Sequence, residues 1–170
     1  FEKPALVLAN HSSFIDIILM LSLSPKLVMV TNSWVWKSPF FGRIVRYAGF
    51  FHSADGYENM TEGIREAVND GYSVVIFPEG TRSKDGEIQR FKGGAFALAK
   101  EAGVEILPVV LDGTRNIFKP KSYWFNWKHR LTVKVLPPIS AERVAATEPA
   151  EMAKEVQEMM TSALAEIRKN

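Results

Sequence analysis

The chain has 170 residues with 21 Lys plus Arg, 19 Asp plus Glu and a formal net charge of +2. With 46% hydrophobic and 24% charged residues it has a globular balance, which argues against intrinsic disorder and a strongly basic nucleic-acid protein. It contains no cysteine, which excludes a disulfide framework, a Cys-based metal site and a thiol nucleophile.

No apolar run reaches the ~18 to 20 residues that a membrane-spanning helix needs. The best candidate, Ile15 to Leu23, contains Asp16 and is followed by Ser24 and Pro25. No signal peptide is visible, and the abrupt start at Phe1-Glu2-Lys3-Pro4 suggests a trimmed domain. Length and the lack of a linker imply one domain over 1–170.

In chain order, Ala5 to Ala9 is a short apolar run expected of a strand buried on both faces. Asn10-His11-Ser12-Ser13 ends it, and Phe14 to Leu23 reads as a largely buried helix. Leu27 to Val30 is a second strand. Ser38 as N-cap, Pro39 at the first helical position and Gly49 as a stop predict another helix, with Phe40, Phe41, Ile44 and Val45 on its apolar face. Met60 to Asn69 is helical, and Tyr72 to Phe77 is a buried strand closed by Pro78. A loop runs to Phe91, and Gly94 to Ala102 is a helix stopped by Gly103. Glu105 to Leu111 and Leu131 to Leu136 are further strands. A last helix over Pro149 to Lys169 places Met152, Val156, Met159, Met160, Ala163, Leu164 and Ile167 at helical spacing. Strands alternating with helices predict an α/β fold with a largely parallel sheet flanked by helices.

Two segments at predicted strand ends could carry chemistry, and ligands gather at such ends in open α/β sheets. The first is Asn10-His11-Ser12-Ser13-Phe14-Ile15-Asp16. Positions five apart lie about 140° round a helix. His11 and Asp16 therefore meet only if His11 is in the turn and Asp16 reaches back from the first helical turn. A carboxylate on one imidazole nitrogen fixes the tautomer and leaves the other to take a proton. The same residues also read as a plain capping arrangement, with Ser13 as N-cap and Asp16 at the third helical position.

The second segment is Phe77-Pro78-Glu79-Gly80-Thr81-Arg82-Ser83. An acceptor-only Glu79 near the fork of Arg82 suits a substrate with a hydroxyl and an anionic group, and Gly80 allows close approach of a ligand. A simple turn with a surface Arg is the alternative. Arg90, Lys92 and the Gly93-Gly94 helix start add another anion contact.

Together these segments resemble the glycerolipid acyltransferase family, which includes the 1-acylglycerol-3-phosphate (lysophosphatidic acid) acyltransferases. Asn10, His11 and Asp16 match its Asn-His-x4-Asp motif, and Phe77 to Ser83 match its Phe-Pro-Glu-Gly-Thr-Arg-Ser motif in full. Ile106-Leu107-Pro108-Val109-Val110 looks like its apolar strand around a proline, and Phe91 to Phe96 like the segment after the Glu-Gly-Thr-Arg motif. The likeness runs from about Pro4 to Pro138.

The resemblance implies transfer of a fatty acyl group from a thioester, on coenzyme A or acyl carrier protein, to a lysolipid hydroxyl in membrane lipid synthesis. It implies His11 as general base, Asp16 as its orienter, and Glu79, Gly80, Thr81, Arg82 and Lys92 around the acceptor. With no Cys and no Gly-x-Ser-x-Gly elbow, direct attack on the thioester is expected rather than an acyl-enzyme. No cofactor is expected, and no metal, because His11, His52 and His129 have no ligand spacing.

One departure stands out. Where the family's second motif ends in an Arg associated with the acceptor's phosphate, Gly49 to Gly56 contains no Arg or Lys and carries Asp55. Either Arg43, Arg46 or Lys92 supplies the charge, or the acceptor is phosphate-free, such as an acylated amino acid. A non-catalytic lipid- or carrier-binding module is the alternative of another class.

Charge is uneven: Gly113 to Pro137 holds six basic side chains and no acidic one, interleaved with Phe118, Tyr123, Trp124, Phe125 and Trp127. Trp and Tyr favour the headgroup level and Lys or Arg favour anionic lipid. Tyr123, Trp124, Phe125, Trp127 and Lys128 are therefore expected at a membrane surface; the resemblance implies its cytoplasmic face, with the protein peripheral or anchored by segments absent from this chain. Trp34, Trp36 and Phe40-Phe41 form a second candidate patch, with core packing favoured for the two tryptophans. Nucleic acid is not an expected partner.

Overall fold

A computed structural model describes residues 3–31, 33–39, 41–117 and 129–169, without the side chains of Trp34, Phe41, Ile44 and Arg46. Its element order is β1 (Leu6–Ala9), α1 (Ile15–Leu23), β2 (Leu27–Thr31), α2 (Ser33–Lys37), α3 (Phe41–Tyr47), β3 (Phe51–His52), α4 (Tyr57–Asn69), β4 (Ser73–Ile76), α5 (Gly94–Ala102), β5 (Ile106–Asp112), β6 (Thr132–Val135), α6 (Ala141–Ala146) and α7 (Pro149–Lys169). A single 3-10 turn, Thr114–Asn116, follows β5.

The six strands form one sheet in the order β3-β2-β4-β1-β5-β6. Every pairing is parallel except β5 with β6. β1 lies at the centre, with Leu6 opposite both Val74 and Ile106, and all four of its residues are buried. Its side chains alternate between two cores, as a strand covered on both faces requires. Leu6 and Leu8 join the core under α4, α5, α6 and α7, whereas Val7 and Ala9 join the one under α1. The expected parallel α/β sheet with flanking helices is therefore the observed architecture.

The last helix spans Pro149–Lys169 as expected, burying Met152, Val156, Met160, Ala163 and Leu164. α5 likewise begins at Gly94 and ends at Gly103, whose φ of +70° is the left-handed stop expected of glycine. α1 differs from expectation. Only Asp16 and Met20 on it are buried, and Ile18 is 51% exposed. Its outer face is apolar because it lines an open groove of about 610 Å3, with Ile17, Ile18 and Leu21 on one wall and Val45 and Phe50 among the other lining residues. Of the apolar face expected near Gly49, Val45 is buried, Phe40 lies outside the described residues, and so do the side chains of Phe41 and Ile44.

Candidate active site

β1 ends at Ala9, and Asn10 extends it with a side chain that mimics a strand. Its amide nitrogen donates to the Leu111 carbonyl at 2.9 Å, and its oxygen accepts the Leu111 N–H at 2.7 Å. The turn at His11 is thereby registered against β5. α1 then starts with Asp16 pointing backwards into the turn, fully buried. Its Oδ2 accepts the backbone N–H of Ser12 at 2.6 Å and of Ser13 at 2.7 Å, and lies 3.0 Å from Nδ1 of His11. The capping role and the imidazole-orienting geometry thus coexist in one carboxylate. An ionised carboxylate only accepts, so Nδ1 carries the proton and Nε2 keeps its lone pair.

The imidazole is fixed from two more sides. Its ring stacks on Phe77, with centroids 4.2 Å apart and planes 18° from parallel. Its backbone N–H donates to Glu79 Oε1 at 2.7 Å, and its carbonyl accepts the N–H of Ser83 at 2.7 Å. Both main-chain groups of His11 are therefore held by the loop after β4. The two sequence motifs are brought together in space, and buried main-chain groups in the turn are satisfied.

Glu79 is buried, and its second oxygen accepts the Gln89 N–H at 3.0 Å. Burial pushes its carboxyl above the ordinary glutamate value, against the pull of the two N–H donors. Its two oxygens join His11 to the far end of the loop. Gly80 has φ of +73°, and an added Cβ would lie 2.7 Å from Lys92 Nζ, so this glycine leaves room for the lysine to lie across the turn. Thr81, Arg82 and Lys92 are exposed.

Two adjoining cavities open at the imidazole. One, of about 700 Å3, is lined by His11, Ser12, Gly80, Thr81, Arg82 and Lys84, among others. The other, of about 340 Å3, includes His11, Ile76, Phe77, Gly80, Lys92 and Ser53. Ile17 and Val35 line both of these and also the 610 Å3 apolar groove, so polar site and groove share a wall.

In the Gly49 to Gly56 segment, Asp55 is half exposed and its Oδ1 lies 3.3 Å from His52 Nδ1. His52 Nε2 lies 2.9 Å from Ser33 Oγ. Trp36 is half-buried and donates its indole N–H to Thr31 Oγ1 at 2.8 Å. Lys92 is the cation among the three alternatives that lines a described cavity at His11; Arg43 is exposed elsewhere, and the Arg46 side chain lies outside the described residues. Tyr123, Trp124, Phe125, Trp127 and Lys128 also lie outside the described residues. No helix among the described residues is long and apolar enough to cross a membrane.

Sequence reasoning missed the partners that brace this centre: Phe77 under the ring, Gln89 on Glu79, and Thr114 beside Asp16. Phe77 carried a signal as the last residue of a predicted strand, whereas Gln89 and Thr114 come from positions whose proximity only the fold creates.

Both the sequence and the fold have counterparts among known proteins. A family model described as Acyltransferase matches residues 2–112, and the chain belongs to that family. It is 31% identical to the 1-acyl-sn-glycerol-3-phosphate acyltransferase of Saccharomyces cerevisiae, over 98% of this chain and 57% of that protein. It is 29% identical to 1-acyl-sn-glycerol-3-phosphate acyltransferase alpha of Mus musculus, over 97% of this chain and 60% of that one. The crystal structure of the 1-acyl-sn-glycerophosphate acyltransferase PlsC from Thermotoga maritima superposes with a TM-score of 0.81 at 26% identity, covering 100% of this chain and 68% of that chain. The chain spans less than two thirds of the yeast and mouse relatives.

Proposed function

We propose that this chain transfers a fatty acyl group from an acyl thioester, on coenzyme A or acyl carrier protein, to the hydroxyl of a lysolipid such as 1-acylglycerol-3-phosphate. The observation that carries the reading is the buried Asp16 carboxylate on His11 Nδ1, with Nε2 left as a base beside a cavity that shares a wall with an apolar groove. The acceptor hydroxyl donates to Nε2, and its oxygen attacks the thioester carbonyl as the proton passes to the imidazole. Asp16 stabilises the imidazolium across the 3.0 Å contact. Collapse of the tetrahedral intermediate breaks the C–S bond, and the departing sulfur takes the proton back from Nε2. Arg82 and Lys92 attract the anionic parts of the substrates, and the groove receives the acyl chain. Because acceptor and product are lipids, the protein works at a membrane surface, on its cytoplasmic face, either peripherally or held by anchoring segments outside this chain.

A second reading keeps the chemistry and changes the acceptor to a phosphate-free lipid. It is favoured by Asp55, a half-exposed carboxylate in the segment where a cation would face a phosphate. Acyl transfer to a panel of lysolipids with and without phosphate separates the two. Lysophosphatidic acid as the best acceptor supports the first reading. Activity confined to phosphate-free acceptors supports the second, and no transfer to any acceptor would leave a lipid-binding module.

A further inference from the structure

Asp16 has two oxygens, and they are held very differently. Oδ2 takes the Ser12 and Ser13 N–H groups and faces the imidazole. Oδ1, among the described residues, has one partner: the hydroxyl of Thr114, 2.5 Å away. Thr114 is fully buried, in the 3-10 turn just past β5, and so lies beyond residues 2–112 that match the family model. Gly113 delivers it with φ of +90°, in a turn so close to the following strand that an added Cβ would overlap the Arg130 carbonyl.

Hydrogen-bond direction follows from the carboxylate. It can only accept, so Thr114 donates its single hydroxyl proton to Oδ1. The Thr114 oxygen then accepts from Ser12 Oγ, 3.2 Å away, which turns the Ser12 proton inward and leaves its lone pairs toward the cavity that Ser12 lines. A carboxylate held through one oxygen alone can turn about its Cβ–Cγ bond, whose torsional wells are broad. The Thr114 hydroxyl holds the other.

We propose that Thr114 is a positioning residue for the His11–Asp16 pair, locking the rotation of the Asp16 carboxylate and dispersing its charge. This inference rests on His11 acting as the general base. Removing the donor frees the carboxylate to turn, so the imidazole loses the fixed partner that orients it. The other charged groups around His11 are Glu79, under its backbone N–H, and Lys92, Arg82 and Lys84, around the cavities; Thr114 substitutions leave them in place.

The test is acyl transfer by the chain carrying Thr114→Val, Thr114→Ser, Asp16→Asn and the Thr114→Val/Asp16→Asn pair, each checked for folding by circular dichroism. Thr114→Val is expected to lower kcat about tenfold to a hundredfold. Both KM values should stay within about threefold. Thr114→Ser should restore most of the rate. In the Asp16→Asn background, Thr114→Val should cost less than about threefold more, because its target is already altered.

A Thr114→Val enzyme with the parental kcat, an equal loss with Asp16→Asn, or a Thr114→Ser enzyme as impaired as Thr114→Val would overturn the proposal. If Thr114→Val does not fold, Thr114→Ala replaces it under the same criteria. His11→Ala separates the layers: activity retained there removes the general base itself, whereas a dead His11→Ala beside a silent Thr114→Val removes Thr114 alone.

Discussion

Replacing Glu79 by Gln separates two roles that its place in the Phe77 to Ser83 motif leaves open: holding the acceptor or holding His11. The carboxylate accepts from the N–H of His11 at 2.7 Å and of Gln89 at 3.0 Å, and it is buried. Gln offers one oxygen and one NH2 group, so one of the two N–H donors must then face another donor. Losing a hydrogen bond to a charged group costs about 1.5–3 kcal/mol. Neutralising a buried charge gives part of that back, because burial already disfavours the ionised form. The net loss at neutral pH is therefore about 1–2 kcal/mol, a fall of about 2–8 °C in Tm for a chain of this size.

The same geometry predicts that kcat falls about tenfold or more as His11 shifts, with acceptor KM nearly unchanged. The pH dependence has a defined sign. A carboxyl whose folded pKa is raised contributes stability that is fully present below its unfolded pKa and is lost as pH rises through the folded value. Gln lacks that contribution, so the stability gap between parent and variant is widest in acid and narrows towards neutral pH. Thermal melts and urea unfolding across pH 4 to 8, paired with acceptor KM and kcat, make the assay. An unchanged Tm with a large rise in acceptor KM would place the carboxylate on the substrate and refute this reasoning.

Two other substitutions probe the frame of the site. Gly113→Ala combines a φ of +90° with overlap on the Arg130 carbonyl, so it should cost at least about 2 kcal/mol and lower activity as Thr114 moves; a variant as stable as the parent contradicts the described turn. Leu21→Trp adds bulk to the wall of the 610 Å3 groove. It should shift preference towards shorter acyl donors at little cost to the shortest ones; an unchanged chain-length profile places the acyl chain elsewhere.

The elements readable from sequence are those whose own residues decide them. β1, β4 and β5 are apolar on both faces because both faces are covered, and α7 carries its periodicity over 21 residues. α2 and β3 went unanticipated because both are short. The five-residue α2 is a helix of Ser33-Trp34-Val35-Trp36-Lys37, too short for periodicity and rich in poor helix formers. β3 has only two residues, and the edge of β2 defines it rather than its own composition. α6 also went unanticipated, although Ser140 caps it by accepting the Arg143 N–H at 3.4 Å.

At the site, the reach of Asp16 back to His11 was legible because strand, turn and helix geometry leave no other way for the pair to meet. The burial of Glu79 was not, since nothing near it in sequence shows that Gln89 N–H and His11 N–H converge there. Thr114 stands 98 residues from Asp16, a proximity that only the adjacency of β1 and β5 produces.

The central claim is that His11 takes the acceptor's proton while Asp16 steadies it. It is tested most directly by initial rates of acyl transfer from a thioester donor to a lysolipid, comparing the parent chain with His11→Ala at matched folding. His11→Ala should lose about 10²- to 10⁴-fold in kcat, with Tm close to the parent value. A His11→Ala enzyme that is folded and transfers acyl groups within a few-fold of the parent rate would contradict the assignment.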